Sequence, residues 1–293
     1  MTTPSDSFSA ARGRLLGLAY RMLGSRADAE DILQDAYLRF QSVDAAGIRN
    51  VEAFLVTTVT RLCLDRLKSA RHQREIYVGP WLPEPVLDSE QLSPETAAEI
   101  ADDLSFALML TLEKLSAPER AAFLLHDVFD APFAQIATAL GKSEAACRQL
   151  AARARKAVRS AKPAQPVSPE AHRKLALRFA EAVSTGDASR LEALLTADAV
   201  TYTDGGGVKI AALQPIRGAN KVARFYAGLV RKHQAQGGTR AFHPAEINGA
   251  PGLIVYVDGE LDQTISLEVE GDRIAAIYVV RNPEKLGAVG LTS

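Results

Sequence analysis

Apolar residues recur at three- and four-residue spacing as far as the Pro-rich stretch Lys162 to Pro169, and beyond it strand-like alternation joins the helical pattern. The first predicted helix runs from Phe8 to Leu23, carries Leu15, Leu16, Leu18, Ala19, Met22 and Leu23, and is ended by Gly24. Ser25, with Asp28 three residues on, is a capping-box-like start for a second helix with Ile32, Leu33, Ala36, Tyr37 and Phe40 on one side. Its other side presents Glu30, Asp31, Gln34 and Asp35. Gln41 to Asn50 has no periodicity and reads as a loop, and Val51 to Lys68 is a third helix with Leu55, Val59 and Leu62 inward.

Pro80, Pro83, Pro85 and Pro94 break the segment from Tyr77 to Pro94, so it reads as a linker whose apolar anchor is Trp81 with Leu82. A helix follows over Ala97 to Leu115, and Ser116 with Glu119 is a capping box opening another that reaches Val128. Pro132 to Ser160 predicts two helices about a tight turn. Phe133, Ile136, Ala137 and Leu140 form the apolar side of the first, and Gly141 closes it at positive φ. Ser143 caps the second, whose inward positions are Cys147, Leu150 or Ala151, Ala154 and Val158. Its other faces carry Arg148, Gln149, Arg153, Arg155, Lys156 and Arg159. Between Ala145 and Lys162 every charged residue is basic, whereas a merely solvated face mixes signs. A short helix, a glycine turn and a basic second helix form a helix-turn-helix pattern aimed at DNA.

Past Pro169 the pattern predicts helices to Ser184, over Ser189 to Leu195 and over Ala219 to Gln234, with a strand at Val200 to Thr203 and strands in the remainder. Ile265, Leu267 and Val269 alternate with Thr264, Ser266 and Glu268, and Gly271 marks the turn before Ile274 to Val280. Leu253 to Val257 and Ile274 to Val280 are apolar on both faces. Helices on one side of a curved antiparallel sheet, enclosing a concave interior, satisfy this pattern.

Charge changes the picture locally. The net charge of −1 gives no global attraction to nucleic acid, but Asp28 to Asp35 is acidic, Arg61 to Arg74 is basic, and Glu84 to Asp103 holds acids and no base. Cys63 and Cys147 fall on apolar helix faces without metal-site spacing, so no metal and no cofactor is expected, and buried thiols in a reducing cytosol fit them. With no signal-peptide core and no apolar run long enough for a bilayer, the expectation is a cytoplasmic protein with no membrane partner.

RMLGSRADAEDILQDAYLRF, the basic helix after it, and SEAACRQLAARARKAVRS resemble regions 2 and 4 of sigma-70 family factors of the extracytoplasmic-function type. The second half looks like a SnoaL-like domain of the nuclear-transport-factor-2-like superfold. WLPEP at Trp81 to Pro85, DGGGVK at Asp204 to Lys209 and NPEKL at Asn282 to Leu286 look like signatures of the sigma-factor group with this extension. The resemblance implies two all-α sigma domains and an α+β cone. Region 2 would occupy 1–76, a Pro-rich acidic linker 77–96, region 4 97–162 and the SnoaL-like domain 168–293.

It also implies roles. Asp28, Glu30, Asp31, Gln34 and Asp35 match the face that docks on core RNA polymerase at the β′ clamp, and the β flap is a further expected contact. Asp44, Arg49, Asn50, Arg61, Arg66 and Arg71 match the part that holds the opened minus-ten element, and single-strand capture suits a loop over a basic helix. Ser143, Arg148, Gln149, Arg153, Arg155, Lys156 and Arg159 match the helix at the minus-thirty-five element, the last three mostly on phosphates. The helix begins with Ala145 and Ala146, which specify little by hydrogen bonds. The implied function is promoter-directed transcription initiation, not catalysis.

Three readings stand for the C-terminal half. It regulates in cis, with Trp81, Leu82 and Pro83 meeting Asp204, Gly205, Gly206, Gly207, Asn282, Pro283 and Leu286, in which case no separate anti-sigma factor is needed. It binds a small molecule that shifts a closed state. Or it is an enzyme domain of isomerase or cyclase type fused to a DNA-binding regulator, with Tyr202, Asp204, His243, Tyr256 and Asp262 as polar candidates.

Overall fold

The computed structural model describes residues 4–43, 48, 50–75, 77–87, 104–161 and 167–289, without the side chains of 4–5, 70–75 and 161. It forms two compact units. One joins Met1–Glu75 to Ser89–Lys162, and the other joins Ile76–Asp88 to Pro163–Ser293. Residues 77–87 of the linker thus belong to the C-terminal unit, although in sequence the linker connects the two helical segments.

In the helical unit, α1 (Pro4–Leu23), α2 (Arg26–Gln41) and α3 (Val51–Glu75) enclose Leu15, Leu16, Tyr20, Met22, Leu33, Phe40, Leu55 and Val59. Ser25 caps α2 by accepting the Asp28 N–H at 3.2 Å. The helix expected from Ala97 is described only as α4 (Phe106–Glu113), where Ser105 accepts the Leu108 N–H; 97–103 lie outside the described residues. The capping box at Ser116 and Glu119 opens α5 (Ala117–Phe123), which loosens into a π turn at Leu124–Val128. Then α6 (Phe133–Leu140), Gly141 at φ +62° and α7 (Glu144–Ala161) form the helix-turn-helix.

Arginines tie the two halves of this unit together. Arg120 is 3% exposed and donates to the carbonyls of Leu112 (2.9 Å) and Met22 (2.5 Å), while Glu113 lies 3.1 Å from it. Burial lowers its guanidinium pKa to about 10, so it stays charged at neutral pH. Arg14 donates to the Phe129 carbonyl at 2.6 Å, and Arg14 and Arg21 both lie over the Phe129 ring.

The second unit is α+β. Helices α8 (Pro169–Thr185), α9 (Ala188–Ala193) and α10 (Ala219–Gln234) accompany a six-stranded sheet in the order β2-β1-β6-β5-β4-β3. The strands are β1 (Leu195–Asp204), β2 (Ile216–Arg217), β3 (Arg240–Ile247), β4 (Ala250–Val257), β5 (Glu260–Glu270) and β6 (Arg273–Val280), and α11 (Pro283–Leu286) follows. Phe179, Val183, Val222 and Tyr226 pack with Leu253, Val255, Ile265, Leu267, Ile277 and Val279, so apolar side chains fill the cone. The sheet is mixed rather than wholly antiparallel, because β1 pairs with β6 in parallel, Thr201 opposite Ile277. The long excursion through α10 and β3 to β5 supplies the crossover that parallel pairing needs. β1 also starts earlier than its apolar run suggests, since Ala197 and Asp198 are exposed beside a register shift. Among the described residues no helix is long and apolar enough to cross a membrane.

Candidate functional site

Three surfaces carry the candidate residues. On α2 the apolar positions turn inward and leave Glu30, Asp31, Gln34 and Asp35 exposed on the opposite side, with Asp28 half-buried. Arg66 on α3 faces this acidic stripe. Its Nε lies 3.1 Å from Asp28 Oδ1, its Nη2 also bonds Asp28, and Asp31 Oδ2 is 3.5 Å away. The Asp28 carboxylate accordingly raises the Arg66 pKa, with Asp31 and Asp35 adding to it. Arg66 is therefore the counter-ion of Asp28 and Asp31 on this face, while Glu30 pairs with Arg26 at 3.1 Å.

Of the minus-ten candidates, Asp44, Arg49 and the Arg71 side chain lie outside the described residues. Asn50 is exposed and caps α3 by accepting the Ala53 N–H at 3.0 Å. Arg61 points at the C-terminal end of α6, where the last carbonyls lack helical partners, and donates to Thr138 (2.6 Å) and Ala139 (3.3 Å).

On α7, Cys147, Leu150, Ala151, Ala154 and Val158 are buried, while Arg148, Gln149, Arg153, Lys156 and Arg159 are exposed. Ser143 accepts the Ala146 N–H and caps the helix. The basic residues differ in what they touch. Arg155 chelates Asp127 through Nε (2.7 Å) and Nη2 (3.0 Å), and Arg153 bonds Glu119 at 2.7 Å. Arg148 pairs with Glu144 one turn back and lies over the Phe133 ring at 5.2 Å. Lys156 and Arg159, with Ala152, Arg155 and Ser160, line an open groove of about 420 Å³. Cys63 and Cys147 are free and buried, and burial pushes both thiols up.

The third surface lies wholly within the C-terminal unit. Asp204 ends β1, is 0% exposed, and is surrounded by donors. Its Oδ2 accepts the Leu82 N–H (2.8 Å) and the Lys285 ammonium (2.7 Å), and its Oδ1 accepts the Tyr77 hydroxyl (2.6 Å) and the Gly206 N–H (3.0 Å). Lys285 also donates to the Leu82 carbonyl at 2.5 Å and lies over the Trp81 ring at 4.4 Å. Asn282 donates to the Tyr77 hydroxyl at 3.0 Å, while its Oδ1 caps α11. Burial, then the bond to Asp204, raises the Tyr77 pKa and keeps the phenol neutral.

The glycine run is required by proximity. A Cβ on Gly205 would lie 2.1 Å from the Lys209 carbonyl oxygen, one on Gly206 2.4 Å from Asn282 Cγ, and one on Gly207 3.3 Å from Val78 Cβ. Leu82, Pro83, Asn282 and Leu286 are buried, and Pro283 opens α11 at the surface. Farther along, the Val86 N–H donates to Asn248 Oδ1 (2.9 Å) and its carbonyl accepts the Asn248 N–H (2.7 Å). Tyr77, Val86, Asn248 and Lys285 are the residues that sequence reasoning passed over. Lys285 stands inside NPEKL, whereas Asn248 offers only an Asn-Gly turn signal.

Of the polar candidates for catalysis, only His243 and Tyr256 meet one another among the contacts of the described residues. Asp204 serves the linker, Arg281 engages both Asp262 oxygens (2.8 and 3.0 Å), His243 meets Tyr256 edge to face, and Tyr202 stacks on Tyr278.

Family models agree with the helical unit. One described as Sigma-70 region 2 matches residues 8–73, and one described as Sigma-70, region 4 matches residues 105–158. The chain is 41% identical over 290 residues to the ECF RNA polymerase sigma factor SigJ of Mycobacterium tuberculosis, covering 96% of this chain and 92% of that protein. It is 31% identical over 291 residues to the probable ECF RNA polymerase sigma factor SigI of the same species, covering 96% and 94%. The crystal structure of M. tuberculosis SigJ superposes with a TM-score of 0.77 at 37% identity, over 96% of this chain and 98% of that one.

Proposed function

This chain belongs to the extracytoplasmic-function sigma factors of RNA polymerase, which direct transcription initiation, and we propose that its SnoaL-like unit regulates that activity in cis by gripping the linker. The observation that carries this reading is the buried Asp204 carboxylate holding the Leu82 peptide N–H, with Lys285 on the carbonyl of the same residue. The linker joins regions 2 and 4, so what holds it bears on how far they can part.

Parting is required by the size of a promoter. Elements named minus ten and minus thirty-five lie about 25 base pairs, hence roughly 85 Å, apart along B-form DNA. A compact unit of the helical unit's length has a radius of gyration of only roughly 15 Å. Regions 2 and 4, packed as one body with Arg61 on the end of α6, cannot reach both elements until they separate. Asp31, Asp35, Glu30 and Gln34 are then the residues for core polymerase, with Arg66 and Asp28 shaping that face, and Arg61 is freed for the minus-ten strand. Arg148, Gln149, Lys156 and Arg159 are the DNA-facing members of α7, while Arg153 and Arg155 chiefly brace it. The clamp takes the place of a separate anti-sigma protein. Both candidate carboxylates are engaged, Asp204 by the linker and Lys285, and Asp262 by Arg281, which favours regulation over catalysis in the C-terminal unit. A cleft of about 230 Å³, lined by Arg173, Leu177, Pro244, Glu246, Pro251 and Leu253, is where a small-molecule signal would enter.

The test is promoter-directed transcription with purified core polymerase, comparing the full chain with Asp204→Ala, Leu82→Ser and a chain ending just before Asn282. Several-fold higher activity at limiting sigma factor is expected from each. Unchanged activity in variants whose linker is demonstrably released would exclude cis regulation by this clamp.

A further inference from the structure

Two residues of the linker, four positions apart, have both their N–H and their C=O satisfied by the α/β unit. Leu82 is bracketed by Asp204 and Lys285, and Val86 by the side chain and backbone N–H of Asn248. Both side chains are fully buried, at 0% and 1% exposure. Residues 80–86 have no regular secondary structure, and Pro83 and Pro85 between the anchors carry no N–H that needs a partner. Such a proline-rich segment is extended before it binds, so little conformational entropy is lost when it docks. Asn248 adopts φ +54°, a left-handed conformation that Asn tolerates, and there its Oδ1 and its backbone N–H meet the N–H and C=O of one residue, Val86. An aromatic at the first anchor completes the set, with Trp81 beneath the Lys285 ammonium.

We propose that the SnoaL-like unit is a peptide-recognition module whose ligand class is an extended, proline-rich segment of the form Trp-Leu-Pro-x-Pro-Val, and that such a segment from another protein displaces the linker. The linker is then the built-in ligand, and displacement is the route by which a partner opens the factor. This rests on the clamp described above. The recognition is directed at backbone groups and two apolar side chains, which any chain of that pattern presents. Attachment in cis gives the linker an effective concentration on the order of millimolar, so an outside peptide binds well only where the built-in one is weakened.

The experiment uses the full chain carrying Leu82→Ser and Val86→Ser, titrated into a fluorescein-labelled peptide with the sequence of residues 77–87, with anisotropy as the readout. At least tenfold tighter binding than to the unaltered chain is expected, and adding Asn248→Ala should weaken it about tenfold. A peptide carrying the two serine substitutions should not bind. A second measurement needs no altered protein: millimolar peptide with Trp81→Phe should red-shift the fluorescence of the unaltered chain, whose only Trp is Trp81. Equal, weak binding to both chains with no red shift overturns the proposal, as does binding indifferent to Asn248→Ala. Transcription by the doubly substituted chain without peptide separates this from cis regulation. Raised activity without peptide binding would leave the clamp standing and remove recognition in trans, whereas peptide binding without altered activity would do the reverse.

Discussion

Lys285 and Asp204 pair at 2.7 Å around a carboxylate that is completely buried, and between them they hold the N–H and C=O of Leu82, more than a hundred positions upstream of both. A buried ion pair is weak evidence for stability in itself, because desolvation offsets much of the attraction. Its consequence lies in what removing one partner does.

Lys285→Met leaves Asp204 charged, buried and short of its cation, a change that costs about 3–5 kcal/mol when it cannot relax. The cheapest relaxation is release of the linker and entry of water. Trp81, 4.4 Å from the ammonium, reports this directly as a red shift in emission, and cleavage by a nonspecific protease should begin within residues 77–87. Unchanged emission and protection would mean that the linker is held without this pair.

Gly206→Ala strains the same site from the other side. The residue sits at φ +63°, and its new Cβ would fall 2.4 Å from Asn282 Cγ, so either the turn must move or the Asn282 side chain must leave its bonds to Tyr77 and the start of α11. A loss of roughly 1–3 kcal/mol is expected from the backbone and contact together. The readout is a lower urea midpoint followed by Trp81 fluorescence; Gly259→Ala, with nothing within 4 Å of its Cβ, controls for positive φ alone.

Much of the architecture could be read from periodicity and punctuation. Gly141 closes α6 as a left-handed residue, the Ser116 and Glu119 box opens α5, and the spacing of Cys147, Leu150, Ala154 and Val158 places the inward side of α7. Those are local signals, fixed within one or two turns of chain. The parallel pairing of β1 with β6 was not legible, because an alternation pattern says which residues face the core and nothing about which strand lies alongside. Nor could the sequence reveal that Arg155 is occupied by Asp127 and Arg66 by Asp28, since each acid comes from a different helix. Asp204 stands out in sequence beside its glycines, but its four donors come from Tyr77, Leu82, Gly206 and Lys285, three of them far away in sequence.

Asp31→Lys and Asp35→Lys should each weaken binding to core polymerase by about tenfold or more, with the melting temperature unchanged within a degree or two. Both residues are exposed, so reversal disturbs a partner's basic surface more than the fold. Asp28→Lys should behave differently, because its carboxylate accepts Arg66 and the substitution sets two cations against each other. Equilibrium binding of labelled factor to core polymerase, with thermal melts alongside, separates the two effects. Normal core binding by both Lys variants would remove the docking role from this face.

Glu268 gives the C-terminal unit a pH dependence of opposite sign to that of an ordinary ion-paired acid. It lies on β5 opposite Ala276, and burial lifts its carboxyl from 4.5 to about 7. The native state thus retains a proton that the unfolded chain has released, throughout the window between those two values. The stability associated with the neutral acid is full below pH 4.5, falls as pH rises through the window, and levels off above pH 7. The size is on the order of 3 kcal/mol from the shift alone. Glu268→Gln keeps the shape and removes the titration, so its urea midpoint should exceed that of the unaltered chain at pH 8 and match it near pH 4.5. Following Trp81 emission confines the measurement to the unit that contains both residues. If the two proteins lose stability in parallel between pH 5 and pH 8, the carboxyl is ionised in the folded state and water reaches it.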